Sequence, residues 1–287
     1  MRAPPILTQA RDLLANYDVV FCDVWGVVHN GRTAYEDGCA ALTRFRNTGG
    51  TVILVSNAPR TARVVAGILD EKGVPRNCWD AIVPSGDLAL AHTRANNFAR
   101  IHHIGPDRDL DLFNNIGLER VAMPAAQAIL CTGLIDDREQ TAEHYRPQLE
   151  QAHRMDLPFI CANPDLVVDV GGDLLPCAGS IATIYEAIGG DVYWAGKPFA
   201  PAYETATRHA EQLRRTDAGK QRTLAIGDSV RTDIAGARAY GIDALFIGQG
   251  IHRDAVMPDG AFARDALAEL FTNDAPDAIA AMTELAW

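Results

Sequence analysis

YDVVFCDVWGVV (residues 17–28) runs from an apolar stretch straight into a carboxylate, Asp23. It reads as a strand that ends near Asp23, followed by a loop that Gly26 lets turn sharply. Downstream, DGCAALTRFRNTGG (37–50) is helical, with Ala41, Leu42 and Phe45 on one side and a Gly–Gly stop. TVILVSNAPR (51–60) is a nearly continuous apolar strand that ends in Ser56–Asn57. Unbroken apolar runs suit parallel strands covered on both faces. TARVVAGILDEKG (61–73) is helical again. This β-α-β-α order requires a parallel sheet flanked by helices.

The same order returns late in the chain. QRTLAIGDSVRTDIAGARAYG (221–241) reads as strand, loop and helix, and IDALFIG (242–248) as a further strand. Between these regions, ARIHHIGP (99–106), AQAILCTG (126–133) and LPFICANP (157–164) read as strands, with a helix over 141–156. The reading is an α/β protein: a Rossmann-like core from residues 1–85 and 179–287, with a smaller α/β domain inserted at 86–178. A single continuous winding is the alternative on the residues alone. The tail 267–287 reads as helical and Ala-rich.

A net charge of -11 disfavours nucleic acid and anionic membranes as partners. No apolar run reaches the roughly 20 residues of a membrane helix, and the start, MRAPPILTQARDLL, lacks a signal-peptide core. The six cysteines form no CxxC pair. They read as small buried hydrophobes in a reducing cytoplasm.

Polar residues recur where apolar runs end: Asp23, Ser56–Asn57, Lys197 in WAGKPFAP (194–201), and Asp228, Ser229 and Asp233 in IGDSVRTD (226–233). Singly, an aspartate there caps a helix or closes a turn, and Lys197 is a surface cation at a helix start. Together they suit phosphoryl transfer. A carboxylate attacks phosphorus, Mg²⁺ on hard oxygen ligands offsets the phosphate charge, and a lysine and hydroxyl donors complete the support.

These motifs resemble those of the haloacid dehalogenase-like (HAD) hydrolases, in the NagD-like and p-nitrophenyl-phosphatase-like subclass with an inserted α/β cap, subclass IIA. DVWGVVHNG (23–31) is similar to the motif that carries the nucleophile. VILVSNAPR (52–60) is similar to the Ser/Thr–Asn motif, AGKP (195–198) to the lysine motif, and IGDSVRTDIAGA (226–237) to the acidic metal motif. The resemblance implies Asp23 as nucleophile and Lys197 as its catalytic partner, with Ser56, Asn57 and Lys197 binding phosphate. It implies Mg²⁺ held by Asp23, the backbone carbonyl of Trp25 and Asp228, with Asp233 in support. CANPDLVV (161–168) resembles the cap segment that faces the substrate, here Asn163, Pro164 and Asp165. CAGSIATIYEAIGG (177–190) resembles the return to the core. A phosphorylated small molecule is the implied partner, and pairing of two copies through the cap is a further expectation.

One position departs from the pattern. Two residues after the nucleophile, phosphatases of this family carry a second aspartate that protonates the leaving alkoxide. Here it is Trp25, and indole has no group for acid–base work at neutral pH. The loss weighs most on poor leaving groups and least on those that need little protonation. His29 is the nearby candidate to stand in; a loop histidine without a role is the plainer reading. The chain reads as a Mg²⁺-dependent hydrolase acting through an aspartyl-phosphate. The alternative is a catalytically impaired, phospho-ligand-binding protein of the same fold. A nicotinamide dehydrogenase is disfavoured because no G-x-G-x-x-G turn follows a strand.

Overall fold

The structure is a computed structural model that describes residues 3–114, 117–170, 172–271 and 277–287. The chain divides into two compact units, one of residues 1–56, 66–83 and 202–287, the other of residues 57–65 and 84–201.

The first unit begins with β1 (Val19–Cys22), α1 (Glu36–Asn47) and β2 (Thr51–Ser56), continues into α2 (Ala62–Glu71), and reaches β3 (Ala81–Pro84). All four residues of β1 are buried, and β2 is buried except at Ser56. That absence of alternation is what a strand covered on both faces produces. In α1, Ala41, Leu42 and Phe45 are all buried, as their helical spacing requires.

The second unit follows with α3 (Ser85–Ala95), β4 (Arg100–Ile104), β5 (Glu119–Arg120), β6 (Ala128–Cys131), α4 (Arg146–Arg154) and β7 (Phe159–Cys161). A hairpin of β8 (Val167–Val170) and β9 (Asp173–Pro176), then α5 (Ala178–Ala187) and β10 (Val192–Trp194), complete it. Its main sheet runs β10-β7-β6-β4-β5, all pairs parallel. Phe159, Ile129 and Cys131 pack there with Ile181 and Tyr185 of α5 in one core.

This differs from the sequence reading in two places: residues 57–65, read as part of the core, fall in the second unit, and so do the residues from 179 to 201. Residues after 178 were expected in the core, yet α5 packs against β7 and β10 pairs with it, Val192 opposite Phe159 and Trp194 opposite Cys161. The inserted sheet needs that extra strand to cover its β7 edge, so the second unit extends to residue 201. The hairpin β8–β9 was not foreseen; its exposed Val167, Val170 and Leu174 give no core-directed pattern.

The chain returns through α6 (Ala200–Arg214) to β11 (Thr223–Gly227), a π-helical turn Val230–Ile234 running into α7 (Ala235–Tyr240), then β12 (Asp243–Ile247) and β13 (Ala280–Met282). The core sheet is β13-β12-β11-β1-β2-β3. The register pairs Cys22 with both Leu54 and Ile226. The parallel strands therefore bring Asp23, Ser56 and Asp228 to one carboxyl edge. The tail keeps its helical expectation only at its start, where a helix Arg264–Leu270 ends, and departs from it further on: Ala280, Ala281 and Met282 are a buried edge strand. Small side chains fit this strand between its neighbours, although alanine favours helix in isolation. Residues 272–276 of that tail lie outside the described residues. All six cysteines are buried and none forms a disulfide, and among the described residues no helix is long and apolar enough to cross a membrane.

Candidate active site

Asp23 leaves β1 with its backbone still in the sheet, because its N–H donates to the carbonyl of Ile226 at 2.8 Å. The chain then closes tightly: Val28 and His29 donate to the carbonyl of Val24, and Gly26 to that of His29. Gly26 has φ +81°, and a Cβ there would come within 2.3 Å of Asp228 Oδ2. Only glycine accommodates both the left-handed turn and that close carboxylate.

Asp228 follows β11, and its Oδ2 accepts from the Ile251 N–H at 2.7 Å. Asp233 lies in the π-helical turn and accepts from the Ser229 N–H at 3.1 Å. Carboxylate oxygens of Asp23, Asp228 and Asp233 all lie within 4.8 Å of one another. Asp228 and Asp233 are buried, while Asp23 retains some exposure. Three like charges gathered in a poorly solvated place repel one another unless a cation joins them. Hard oxygen donors at this spacing fit a divalent ion of the magnesium or calcium type.

Trp25 lies beside this cluster in sequence but packs within its own loop. Its ring meets His29 edge-on at 5.2 Å between centroids, and Gly31 lies against the indole. His29 does not fit the stand-in role. It is 3 % exposed, its Nδ1 accepts from the Gly31 N–H at 2.8 Å, and burial, then the Lys72 charge, push its pKa down to about 4. It is neutral at pH 7 and shut inside the loop.

Gly31 gives a direct check of this packing. It has φ +83°, and an added Cβ would sit 2.5 Å from Trp25 Cη2. Gly31→Ala is expected to destabilise the protein by about 2 kcal/mol, combining left-handed strain with overpacking. Urea denaturation reads it, and an unchanged midpoint would contradict this packing of the indole.

In the second unit, Asn57 is the centre of a buried polar knot. Its Oδ1 accepts from the Lys197 N–H at 2.8 Å and weakly from the Ser85 hydroxyl at 3.4 Å. Its Nδ2 donates to the Lys197 carbonyl at 3.0 Å and to Asp165 Oδ1 at 2.9 Å. An amide side chain has two N–H groups and two lone pairs, so every position is taken. The Asn57 side chain was expected to bind phosphate, but it has no donor left for a phosphate oxygen; it holds both sides of the Lys197 backbone instead. Lys197 itself is 4 % exposed. Asn163 Oδ1 accepts from the Asp165 N–H at 3.1 Å, fixing the turn around Pro164 that presents Asp165 to Asn57. Ser85, at the start of α3, was missed in the sequence, where it looks like an ordinary helix-start serine.

The residues therefore fall into two groups. Asp23, Asp228 and Asp233 form one, with Ser56 on the same sheet edge. Asn57, Asp165 and Lys197 form the other, with Asn163 and Pro164 shaping its turn.

The haloacid dehalogenase-like hydrolase family matches residues 20–119, and a HAD-hydrolase-like family matches residues 194–274. A solved haloacid dehalogenase-like hydrolase from Brucella suis 1330 is 40 % identical, covers 97 % of this chain and 99 % of its own, and superposes with a TM-score of 0.85. The D-glycerol 3-phosphate phosphatase of Mycobacterium tuberculosis (strain ATCC 25618 / H37Rv) is 28 % identical over 84 % of this chain. This chain spans 66 % of that relative's length. A glycerol phosphate phosphatase structure from M. tuberculosis, in complex with calcium, is 24 % identical with a TM-score of 0.63, covering 89 % of this chain and 76 % of that one. The chain belongs to the haloacid dehalogenase-like hydrolases. Within them it has the fold of the NagD-like and p-nitrophenyl-phosphatase-like branch.

Proposed function

We propose that the chain is a Mg²⁺-dependent phosphatase of a phosphorylated small molecule, working through an aspartyl-phosphate on Asp23. The observation that carries this reading is the three-carboxylate cluster at the carboxyl edge of the core sheet, with Asp23 as its strand-terminal member. A divalent cation bound by Asp23, Asp228, Asp233 and the Trp25 carbonyl would offset phosphate charge. Asp23 attacks phosphorus, Ser56 donates to a phosphate oxygen, and Lys197 supplies positive charge, held in place by Asn57. The glycerol phosphate phosphatases among its relatives support a small polar substrate, and the calcium in one of them supports a hard divalent ion. Residues 84–201 serve as the cap domain in this reading, replacing the span 86–178.

Six buried thiols outside any disulfide suit a cytoplasmic enzyme. The exposed Val167, Val170 and Leu174 of an open-edged hairpin support pairing of two copies through the inserted domain.

The second reading, a protein that binds a phosphorylated ligand without turnover, is favoured by Trp25 alone. Phosphate release decides between them. With Mg²⁺, the purified protein is expected to release phosphate from members of a panel that includes acyl, aryl and alkyl phosphates. With excess EDTA the release falls to the buffer rate. Binding of phosphorylated compounds with no release from any would establish the second reading.

A further inference from the structure

Glu284 follows the edge strand β13; at the ends of the central strands β1 and β11 the carboxyl groups, among the described residues, are Asp23, Asp228 and Asp233, and all three belong to one cluster. None is spare to protonate a leaving group, because a carboxylate that binds a cation or attacks phosphorus cannot also carry the proton. The other polar side chains at the ends of β1, β2, β11 and β12 are an indole (Trp25), hydroxyls (Ser56, Ser229) and amides (Asn57, Gln249). None is acidic enough to donate a proton at neutral pH. The imidazole of the loop, His29, is 3 % exposed and has Nδ1 bound to the Gly31 N–H.

We infer that the substrates are phosphates whose leaving group departs as a stable anion, acyl phosphates above all, with phosphoanhydrides and acidic aryl phosphates in the same class, and that alkyl phosphates are poor substrates. This rests on the phosphatase reading. In the first step an Asp23 oxygen bonds to phosphorus as the bond to the leaving oxygen breaks. With an acyl phosphate the electron pair goes out on a carboxylate, whose pKa of about 4 means that no proton need move. One acyl phosphate is exchanged for another, and the charge is conserved. With an alkyl phosphate the pair lands on an alkoxide about as basic as hydroxide, and a proton must be supplied. In the second step water attacks phosphorus and the bond to Asp23 breaks. The carboxylate is regenerated and both hydrogens leave on dihydrogen phosphate, which then loses a proton to solvent. This step is the same for every substrate. Good substrates therefore share one kcat and differ in kcat/KM.

The test compares kcat/KM for acetyl phosphate, 4-nitrophenyl phosphate, phenyl phosphate and glycerol 3-phosphate, with Mg²⁺, in the wild type, Trp25→Asp and Trp25→Phe. The wild type is expected to fall steeply along that series, by about 10³-fold or more from first to last. Trp25→Asp should raise the ratio of glycerol 3-phosphate to acetyl phosphate by roughly 10²–10⁴-fold, the range of general acid catalysis. Trp25→Phe should keep the wild-type order. A flat wild-type series overturns the inference while leaving the phosphatase reading intact, since it means that an acid reaches the leaving group from elsewhere. The wild-type series decides even where Trp25→Asp does not fold. No release from any substrate, with the wild type equal to Asp23→Asn, overturns the phosphatase reading together with the inference.

Discussion

Asp23→Asn abolishes turnover: phosphate release from the best substrate is expected to fall by at least about 10⁴-fold in kcat, the scale of losing a nucleophile. The substitution is nearly isosteric and leaves the backbone bond from residue 23 to Ile226 in place, so the strand end should keep its position. The amide nitrogen carries no charge and its lone pair is delocalised, so it does not attack phosphorus. One negative charge also leaves the cluster with Asp228 and Asp233. That relieves repulsion among the carboxylates while weakening any cation that binds there, so thermal stability without Mg²⁺ should hold or rise. The decisive readout is covalent. Acid-quenched wild-type protein should carry a phosphoryl group on the peptide that contains residue 23, and the variant should carry none. A variant that still releases phosphate at a tenth of the wild-type rate would remove Asp23 from the chemistry.

Much of this site was legible because carboxyl ends of parallel strands are marked twice in sequence. An apolar run ends, and a polar residue follows at once. VVFC before Asp23, TVILV before Ser56 and TLAIG before Asp228 each carry that signature, and the register aligns all three. The clustering of Asp228 with Asp233 was legible as spacing along the chain, although the turn that joins them is π-helical and not α-helical. What sequence could not give was which polar atoms are already occupied. Asn57 follows Ser56 and looks equally available to a ligand, yet its amide is filled by residues far along the chain, Asp165 and Lys197. Hydrogen-bond saturation is a tertiary property, and no local pattern reports it. The edge strand at residues 280–282 was hidden for a related reason. Its alanines prefer helix locally, and only the partner strand β12 supplies the pairing that overrides that preference.

Asn57→Ala separates the two roles that this residue could play. The substitution leaves the Lys197 N–H and carbonyl and one Asp165 oxygen without the partner they now have. Buried polar groups deprived of partners cost about 1–3 kcal/mol each. Some relaxation follows, and a total destabilisation of about 3 kcal/mol is expected by urea denaturation. The effect on turnover is the sharper test. Were the Asn57 side chain a phosphate ligand, Asn57→Ala would raise KM, and its loss would add to that of Lys197→Ala as independent contacts do. If it acts through Lys197, kcat falls with KM changed little, and the double variant is no worse than Lys197→Ala alone, because a misplaced lysine and a missing one are equally useless. Asn57→Asp sharpens the contrast further. It keeps an acceptor for the Lys197 N–H but loses both donors and sets a carboxylate about 3 Å from Asp165, a like-charge contact that should make it less stable than Asn57→Ala despite its closer shape. Additive losses in the cycle, or an Asp variant as stable as wild type, would return Asn57 to the phosphate and leave the placement of Lys197 to other contacts.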